Sequence, residues 1–563
     1  MRTRSLTIAV IVAVVVAFAA CAWASDGTDL LSGDTEGLLT IKNLGQLYRT
    51  LGIDELRNER PDDFRFLSEE LIEDVGIDLL DPDALEAEGF DLGRPLHVGV
   101  MVEPPAVLVL VPGKGQALKW LRAKMEEQGV VFTRQARFGG VEVDGGEADE
   151  VACFQRRDYV GIVITDHDEG GGSAVETVGK LIEHNDGPSF IESESYQRTM
   201  KRLPAEADVT MYMGPELRRN MSHWGKSDEE LAEYGLTNDD MRSWERDLGL
   251  EKSASAMAMT VAPDRVRIDG YSWLGKDSRA RDWLVVDNNP VAFLRRTPSQ
   301  PWLVGMFRLD FGALWDAMQP ILERARKGDD DKSVKDTFAE VKEETGIDVE
   351  ADLIQQLCGN MGILVSRAAL MGSDLVLMAQ VKDPDRFQKT VATATSLARE
   401  DIEKKAAENQ NQPQTQIEEE TVGGATVYHV SMPPMAELMY GMIDDHFVAA
   451  TLPLRFRDIA GSSRDSFIDS IGNDDVKAAL TDPSGSAFYI DFRALSRDAE
   501  GILPMMGPKG AGISRVFAEL SELVATSRFD GEGIIQASTL SSTRPGIWKF
   551  LIGLLIDRVE PVE

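Results

Sequence analysis

Asp166-His167-Asp168-Glu169-Gly170 crowds oxygen donors ahead of a glycine, as a calcium-binding loop does. Such a loop needs its glycine at the sixth position and a bidentate acid at the twelfth, because the cation takes six to eight oxygens around a sharp turn. Here the glycines come early, starting at Gly170, and Thr177 stands twelfth where the acid belongs, so an acidic strand-to-helix turn is expected instead. The six histidines, His97, His167, His184, His223, His429 and His446, never pair at i, i+3 or i+4. Neither Cys153 nor Cys358 has a histidine at ligand spacing, and zinc needs three or four converging N or S donors. Gly507-Pro508-Lys509-Gly510-Ala511-Gly512 lacks the Ser or Thr that follows the lysine of a phosphate loop, and reads as a flexible loop before a helix beginning near Ile513. No Gly-x-Ser-x-Gly elbow occurs. These residues define no catalytic group, no metal and no cofactor.

A different chemistry is offered by Met432-Pro433-Pro434-Met435 and the residues up to Met442. With the prolines opening a helix, Met435, Met439 and Met442 fall on one face at i, i+4 and i+7, with Met432 just ahead. Pliable, polarizable methionines suit an irregular apolar ligand, which makes these four the candidate ligand-binding residues. The plainer reading of a methionine stripe is core.

The elements that position these residues occur twice. Ser189-Phe190-Ile191-Glu192-Ser193, Leu203 and Tyr212 return at the same spacing as Ser466-Phe467-Ile468-Asp469-Ser470, Leu480 and Tyr489. Each copy reads as a helix ending near the leucine, a turn, and a strand carrying the tyrosine. Upstream, Gly37-Leu38-Leu39-Thr40-Ile41 and Val304-Gly305-Met306-Phe307 read as strands, with helices opening at Leu44 and Phe311. Gly76-Ile77-Asp78 and Gly346-Ile347-Asp348 look like helix C-caps.

Two strands and a helix follow in each copy: 96–102, 106–111 and 117–127, then 361–365, 375–381 and 387–404. The second strand of each pair is nearly all apolar, as in a strand covered on both faces. Gly139-Gly140 and Gly423-Gly424 mark turns, strands recur at 159–163 and 446–450, and closing hairpins turn at Pro263-Asp264 and Asp530-Gly531. The expected fold class is therefore α+β, two tandem copies of a mostly antiparallel sheet with helices packed on one face. The expected division is a leader at 1–24, a first repeat at 25–285, a linker at 286–296 and a second repeat at 297–563. A long acidic insertion from Arg218 to Leu250, with Trp224, Tyr234 and Trp244, distinguishes the first copy.

Met1-Arg2-Thr3-Arg4, the apolar run Leu6 to Ala20 and Ala22-Trp23-Ala24 have the order of a secretory signal peptide cut before Ser25. Phe18-Ala19-Ala20-Cys21 offers the alternative of lipoprotein cleavage with acylation of Cys21, the one membrane attachment expected. After ordinary cleavage 57 basic and 95 acidic residues remain, a net charge of −38. That field opposes nucleic acid, whose binding rests on clustered Lys and Arg. Two cysteines at non-equivalent places indicate no disulfide framework, though a bridge between the repeats stays open. The apolar end, Trp548 to Ile556, is too short to span a bilayer and is expected to dock into the second repeat.

The leader, the paired Gly-Ile-Asp segments, the strand exit Val381-Lys382-Asp383-Pro384 and the Ser-Phe-Ile-x-Ser block together resemble a bacterial family of exported proteins of unknown function, periplasmic or lipoprotein. The resemblance implies a location and an architecture and carries no catalytic residues. Three functions are open. The first is a non-enzymatic binding or scaffold protein of the envelope, whose partner is an envelope protein or an apolar ligand. The second is a carrier of lipid or another apolar ligand in a cavity between sheet and helices, and the third a hydrolase whose acids converge only in three dimensions.

Overall fold

The computed structural model describes residues 28–546 except 32, 60, 62–64, 66–80, 104, 166–171, 184–189, 223–227, 234, 285–293, 298–300, 324–332, 370–371, 409–414, 433–435, 462–465, 472–473, 483–484, 501–506 and 544–545. The Asp166–Gly170 turn, His167, His184, His223, Gly76-Ile77-Asp78, Cys21 with the leader, and the apolar end thus lie outside the described residues. Packing groups the described residues of Met1–Ser222, Glu251–Trp273 and Arg544–Glu563 into one unit, and those of His223–Leu250 and Leu274–Thr543 into another. Packing places its boundaries at Ser222/His223, Leu250/Glu251 and Trp273/Leu274 and assigns the insertion 223–250 to the second unit, while most of the expected linker 286–296 lies outside the described residues.

In the first unit the strands are β1 (Thr35–Ile41), β2 (Leu96–Met101), β3 (Ala106–Pro112), β4 (Phe132–Phe138), β5 (Val141–Gly146), β6 (Val151–Arg156), β7 (Tyr159–Thr165), β8 (Val209–Met213), β9 (Ala254–Ala262) and β10 (Arg265–Trp273). They pair in the order β4-β5-β6-β7-β3-β2-β1-β8-β9-β10. In the second unit they are β11 (Leu303–Arg308), β12 (Leu357–Ala369), β13 (Gly372–Val381), β14 (Gln416–Val422), β15 (Ala425–Met432), β16 (Ala436–Ile443), β17 (His446–Ala450), β18 (Gly485–Asp491), β19 (Leu520–Phe529) and β20 (Gly533–Ser542). Their order is β14-β15-β16-β17-β13-β12-β11-β18-β19-β20. Every one of these pairings is antiparallel, as expected for an α+β fold.

Register ties the two sheets to the repeated tyrosines. Starting from Tyr212, directly opposed residues run across the first sheet as Tyr212, Leu38, Gly99, Leu108, Val163 and Ala152. Starting from Tyr489, the second row is Tyr489, Val304, Leu364, Val376, Ala450 and Met439. Opposed residues share a face, and in both rows every residue but Tyr489 and Gly99 is buried to 3% exposure or less. The same face is therefore sealed in each unit, and the rows assign equivalent positions: Leu38 to Val304, and three residues on, Ile41 to Phe307.

Helices lie on both faces of each sheet, which corrects the expectation of one. Val107, Val109 and Val111 of β3 face a cluster containing Leu44, Leu47, Tyr48, Leu85 and Leu121, while Leu108 and Leu110 are buried on the opposite side. A Cβ added to Gly145, which lies in the row of Leu108, would strike Val175 of helix Ala174–Glu183, which places that helix on the second side. An unbroken apolar strand needs cover above and below.

Two local expectations also change. The segment after Pro433-Pro434 is strand β16, not a helix, because Ala436–Ile443 is held between β15 and β17 by ladders on both edges, and tertiary pairing outweighs helical spacing. The glycine-rich 507–512 segment is not a loop: helix Pro508–Glu519 starts at its proline, whose fixed φ suits the first helical turn. Gly346 caps helix Val334–Thr345 in the left-handed conformation at φ 74°, as its sequence suggested.

Gly139-Gly140 and Gly423-Gly424 turn the β4–β5 and β14–β15 hairpins with φ values of 53°, 88°, 62° and 89°. Two consecutive positive φ angles make the tight turn whose twist matches the strands. Gly140→Ala and Gly424→Ala should each cost about 1–2 kcal/mol in urea unfolding, since a Cβ is strained there even though space around it is open.

Candidate functional site

The three described methionines, Met432, Met439 and Met442, do not share one surface. On strand β16 Met439 and Met442 point to opposite faces, Met439 at 0% exposure among Val304, Met306 and Val448, and Met442 at 6% against Phe387 and Tyr428. Met432 ends β15 and is exposed, and Met435 lies outside the described residues. Core packing explains the two buried ones.

What the structure brings together is the opposite face of the second sheet. In the first unit Ile41 is fully buried, because helix Leu44–Leu51 lays Leu44, Leu47 and Tyr48 over Leu39, Ile41 and Val98. At the equivalent place in the second unit Phe307 is 52% exposed and Leu377 46%. Between them Gly305 sits in a shallow apolar floor: a Cβ there would meet Ile363 at 2.9 Å, Phe488 at 3.4 Å and Phe307 at 3.8 Å. Leu377 stands opposite Ile363, and Met361 opposite Phe307.

Two packing choices leave this face open. Helix Pro384–Glu408 covers only one end, where Phe387 and Val391 meet Val381, Tyr428 and Met442. The helix after β11, Phe311–Leu322, is held by other residues: Ala317 packs with Leu248, Ala280 and Trp283, and Trp244 Nε1 donates to the Ala317 carbonyl at 3.0 Å. Leu248 and Trp244 come from the insertion 223–250, so that segment packs against a helix of the second unit. Contiguous exposed apolar area of this kind marks interaction surfaces.

Polar residues gather at the end of the sealed face of the same sheet. His446 Nδ1 lies 2.7 Å from Asp445 Oδ1, Gln380 Nε2 donates to Asp445 Oδ2 at 3.1 Å, and the Asn360 amide donates to Gln380 Oε1 at 3.3 Å. Lys382 Nζ reaches Asp310 at 3.2 Å. Burial pushes the His446 imidazole down from its usual value, against the pull of Asp445. Burial pushes the Cys358 thiol up; Lys382 lowers it, and Asp310 and Asp445 raise it further. A catalytic thiol needs the reverse. In the first unit burial raises the Glu36 carboxyl, but its Oε2 accepts from the Glu216 amide at 3.0 Å and caps helix Pro215–Ser222. Tyr212 and Ser195 share a hydrogen bond of 2.7 Å, and burial pushes the Tyr212 phenol up to about 12. These groups join strands and helices, and among them the described residues pair no nucleophile with an activating base.

Among the described residues no three His, Cys, Asp or Glu converge to hold a metal ion, and no helix is long and apolar enough to cross a membrane. Cys153 and Cys358 are both free thiols. Sequence reasoning missed the open face because Val304-Gly305-Met306-Phe307 is apolar at every position, so alternation does not say which side is bare.

Fold and face define a two-unit α+β protein whose second sheet has one incompletely covered side. Residues 172–541 match the family described as protein of unknown function DUF3352, and the chain belongs to that family. No curated protein matches the sequence. Solved structures of TP0453 are similar at low level: crystal forms III and I have 9% identity and TM-scores of 0.25 and 0.24, covering 45% of this chain and 81% of theirs. At such scores the likeness defines no shared fold.

Two measurements follow from the thiols and the histidine. Cys153, 0% exposed and pushed up to about 12 chiefly by burial, should resist iodoacetamide in the native protein and react only on unfolding, while reductant should leave the unfolding midpoint unchanged. Burial lowers the His446 imidazole in the fold, so as pH falls through about 6.5 the unfolded chain takes up a proton more readily than the folded one. Its contribution is thus complete above that pH and lost below it; the lowered Asp445 carboxyl adds a loss of the same sign nearer pH 4. Asp445, Asp444 and Arg296 are the charges acting on the ring. Thermal unfolding from pH 7.5 to 5 should show a falling midpoint in the parent and a flatter curve in His446→Gln.

Proposed function

We propose that this chain is an exported, non-enzymatic binding protein of the bacterial envelope, built from two copies of one α+β module, and that it takes an apolar partner on the open face around Phe307 and Leu377. The observation that carries the reading is the contrast between equivalent positions: Ile41 is at 0% exposure under its own helix, and Phe307 is at 52%. Duplication is supported by the identical pairing order of ten strands and by the two tyrosine rows. Export is supported by the leader at 1–24, with acylation of Cys21 as the variant form. The net charge of −38 on the mature chain keeps such a protein soluble while one apolar face stays uncovered.

The carrier reading differs in its ligand, a lipid rather than a protein surface, and the same face serves it. Native mass spectrometry of mature protein separates the two, since a co-purifying lipid adds a defined mass and a protein partner does not survive purification at substoichiometric amounts. For either ligand the side chains that matter are the same. Phe307→Ser with Leu377→Ser should cost about 1–3 kcal/mol in unfolding free energy and leave the protein folded, because each side chain is already about half in water. Capture of envelope components by the immobilised protein should fall several-fold in that variant; capture at parental level sinks the assignment of this face.

A further inference from the structure

We propose that a groove in the second unit, between helices Phe492–Ala499 and Pro508–Glu519, binds an anion carried on an apolar body, an alkyl or aryl carboxylate or phosphate. The groove is open to solvent, has a volume of about 450 Å³ and is lined by Asp491, Arg493, Ser496, Arg497, Phe517 and Ala518. Arg493 and Arg497 are one helical turn apart, so both guanidinium groups reach the same side. Both are exposed, and neither has an ion-pair or side-chain hydrogen-bond partner among the described residues. That matters in a chain with 95 acids to 59 bases, where cations elsewhere in the unit take carboxylates at short range, as Arg386 takes Asp352 at 2.6 Å and Arg457 takes Glu420 at 3.0 Å.

The carboxylate that lines the groove is committed elsewhere. Asp491 Oδ1 accepts from the Ala494 amide at 3.0 Å and caps the first helix, which directs its charge to the helix start. Ser496 adds a hydroxyl that can donate. Phe517 supplies an apolar wall backed by Phe492, with ring centroids 5.9 Å apart. Planar guanidinium forks match carboxylate and phosphate oxygens two at a time, and an aromatic plate beside them selects an anion with an apolar portion over a bare ion. The inference does not rest on the Phe307 face.

Calorimetric titration of the mature chain with dodecyl phosphate below its micelle concentration tests it, with inorganic phosphate and uncharged dodecyl maltoside as parallel probes. Dodecyl phosphate should bind at one per chain, weaken with added salt, and lose at least tenfold in affinity in Arg493→Gln/Arg497→Gln. Phe517→Ala should weaken dodecyl phosphate and leave inorganic phosphate unaffected, and Phe307→Ser/Leu377→Ser should change neither. Arg493→Lys/Arg497→Lys, which keeps charge and removes the forks, should fall between parent and the glutamine variant, with thermal unfolding run on all variants. Equal binding of dodecyl maltoside, equal binding of inorganic phosphate, parental affinity in the folded glutamine variant, or no binding at all would each overturn the proposal.

Discussion

An antiparallel sheet with two apolar faces forces the rest of the chain to supply two covers. Each unit meets the demand on one side in the same way, with the row through Tyr212 or Tyr489 buried to near zero exposure beneath helices such as Ala174–Glu183 and Pro453–Ala460. On the other side the units diverge, and the divergence traces to what each helix finds to pack against. Helix Leu44–Leu51 finds Ile41 and Val98; helix Phe311–Leu322 finds Leu248 and Trp283. Burial of apolar area is non-directional, so a competing apolar surface is enough to redirect a helix.

Much of this architecture was legible in the sequence. The tyrosine blocks fix which strands correspond, and Gly139-Gly140 and Gly423-Gly424 mark the two hairpins by a backbone geometry that favours glycine. The class of the fold followed from short turns between strands. The apolar runs of β3 and β13 read as strands covered on both faces, yet the helices were expected on one, because sequence alone did not say which helix goes to which side. The methionine segment misled because Met435, Met439 and Met442 fit a helical period, while the ladders on both edges of β16 belong to partners far along the chain. Spacing reads local preference; pairing between distant strands is invisible to it.

The polar groups show the same limit from the other direction. His446 and Asp445 are adjacent in sequence, but Gln380 and Asn360 reach them only once β12, β13 and β17 lie side by side. Buried polar groups of this kind are costly unless partnered, and the chain of hydrogen bonds joins three strands at the rim of an otherwise apolar layer. Position within the sheet, rather than residue type, turns these side chains from candidate acid-base groups into cross-links between strands.

Divergence on the open side carries the functional weight. Leu39 and Ile41 in the first unit are plugs under helices; Gly305 and Phe307 in the equivalent places make a floor and a rim. Fully burying a phenylalanine is worth about 1.5–3 kcal/mol, so one left 52% exposed gives up roughly half of that in the isolated chain. A serine or lysine there would suit the acidic, solvated surface around it. Large apolar side chains at Phe307 and Leu377, flanking a glycine that keeps the floor low, recover the forgone stabilisation only when something apolar is laid across them. The physical case for binding at this face is therefore a deficit in the covering of one sheet, and it stands without any catalytic residue.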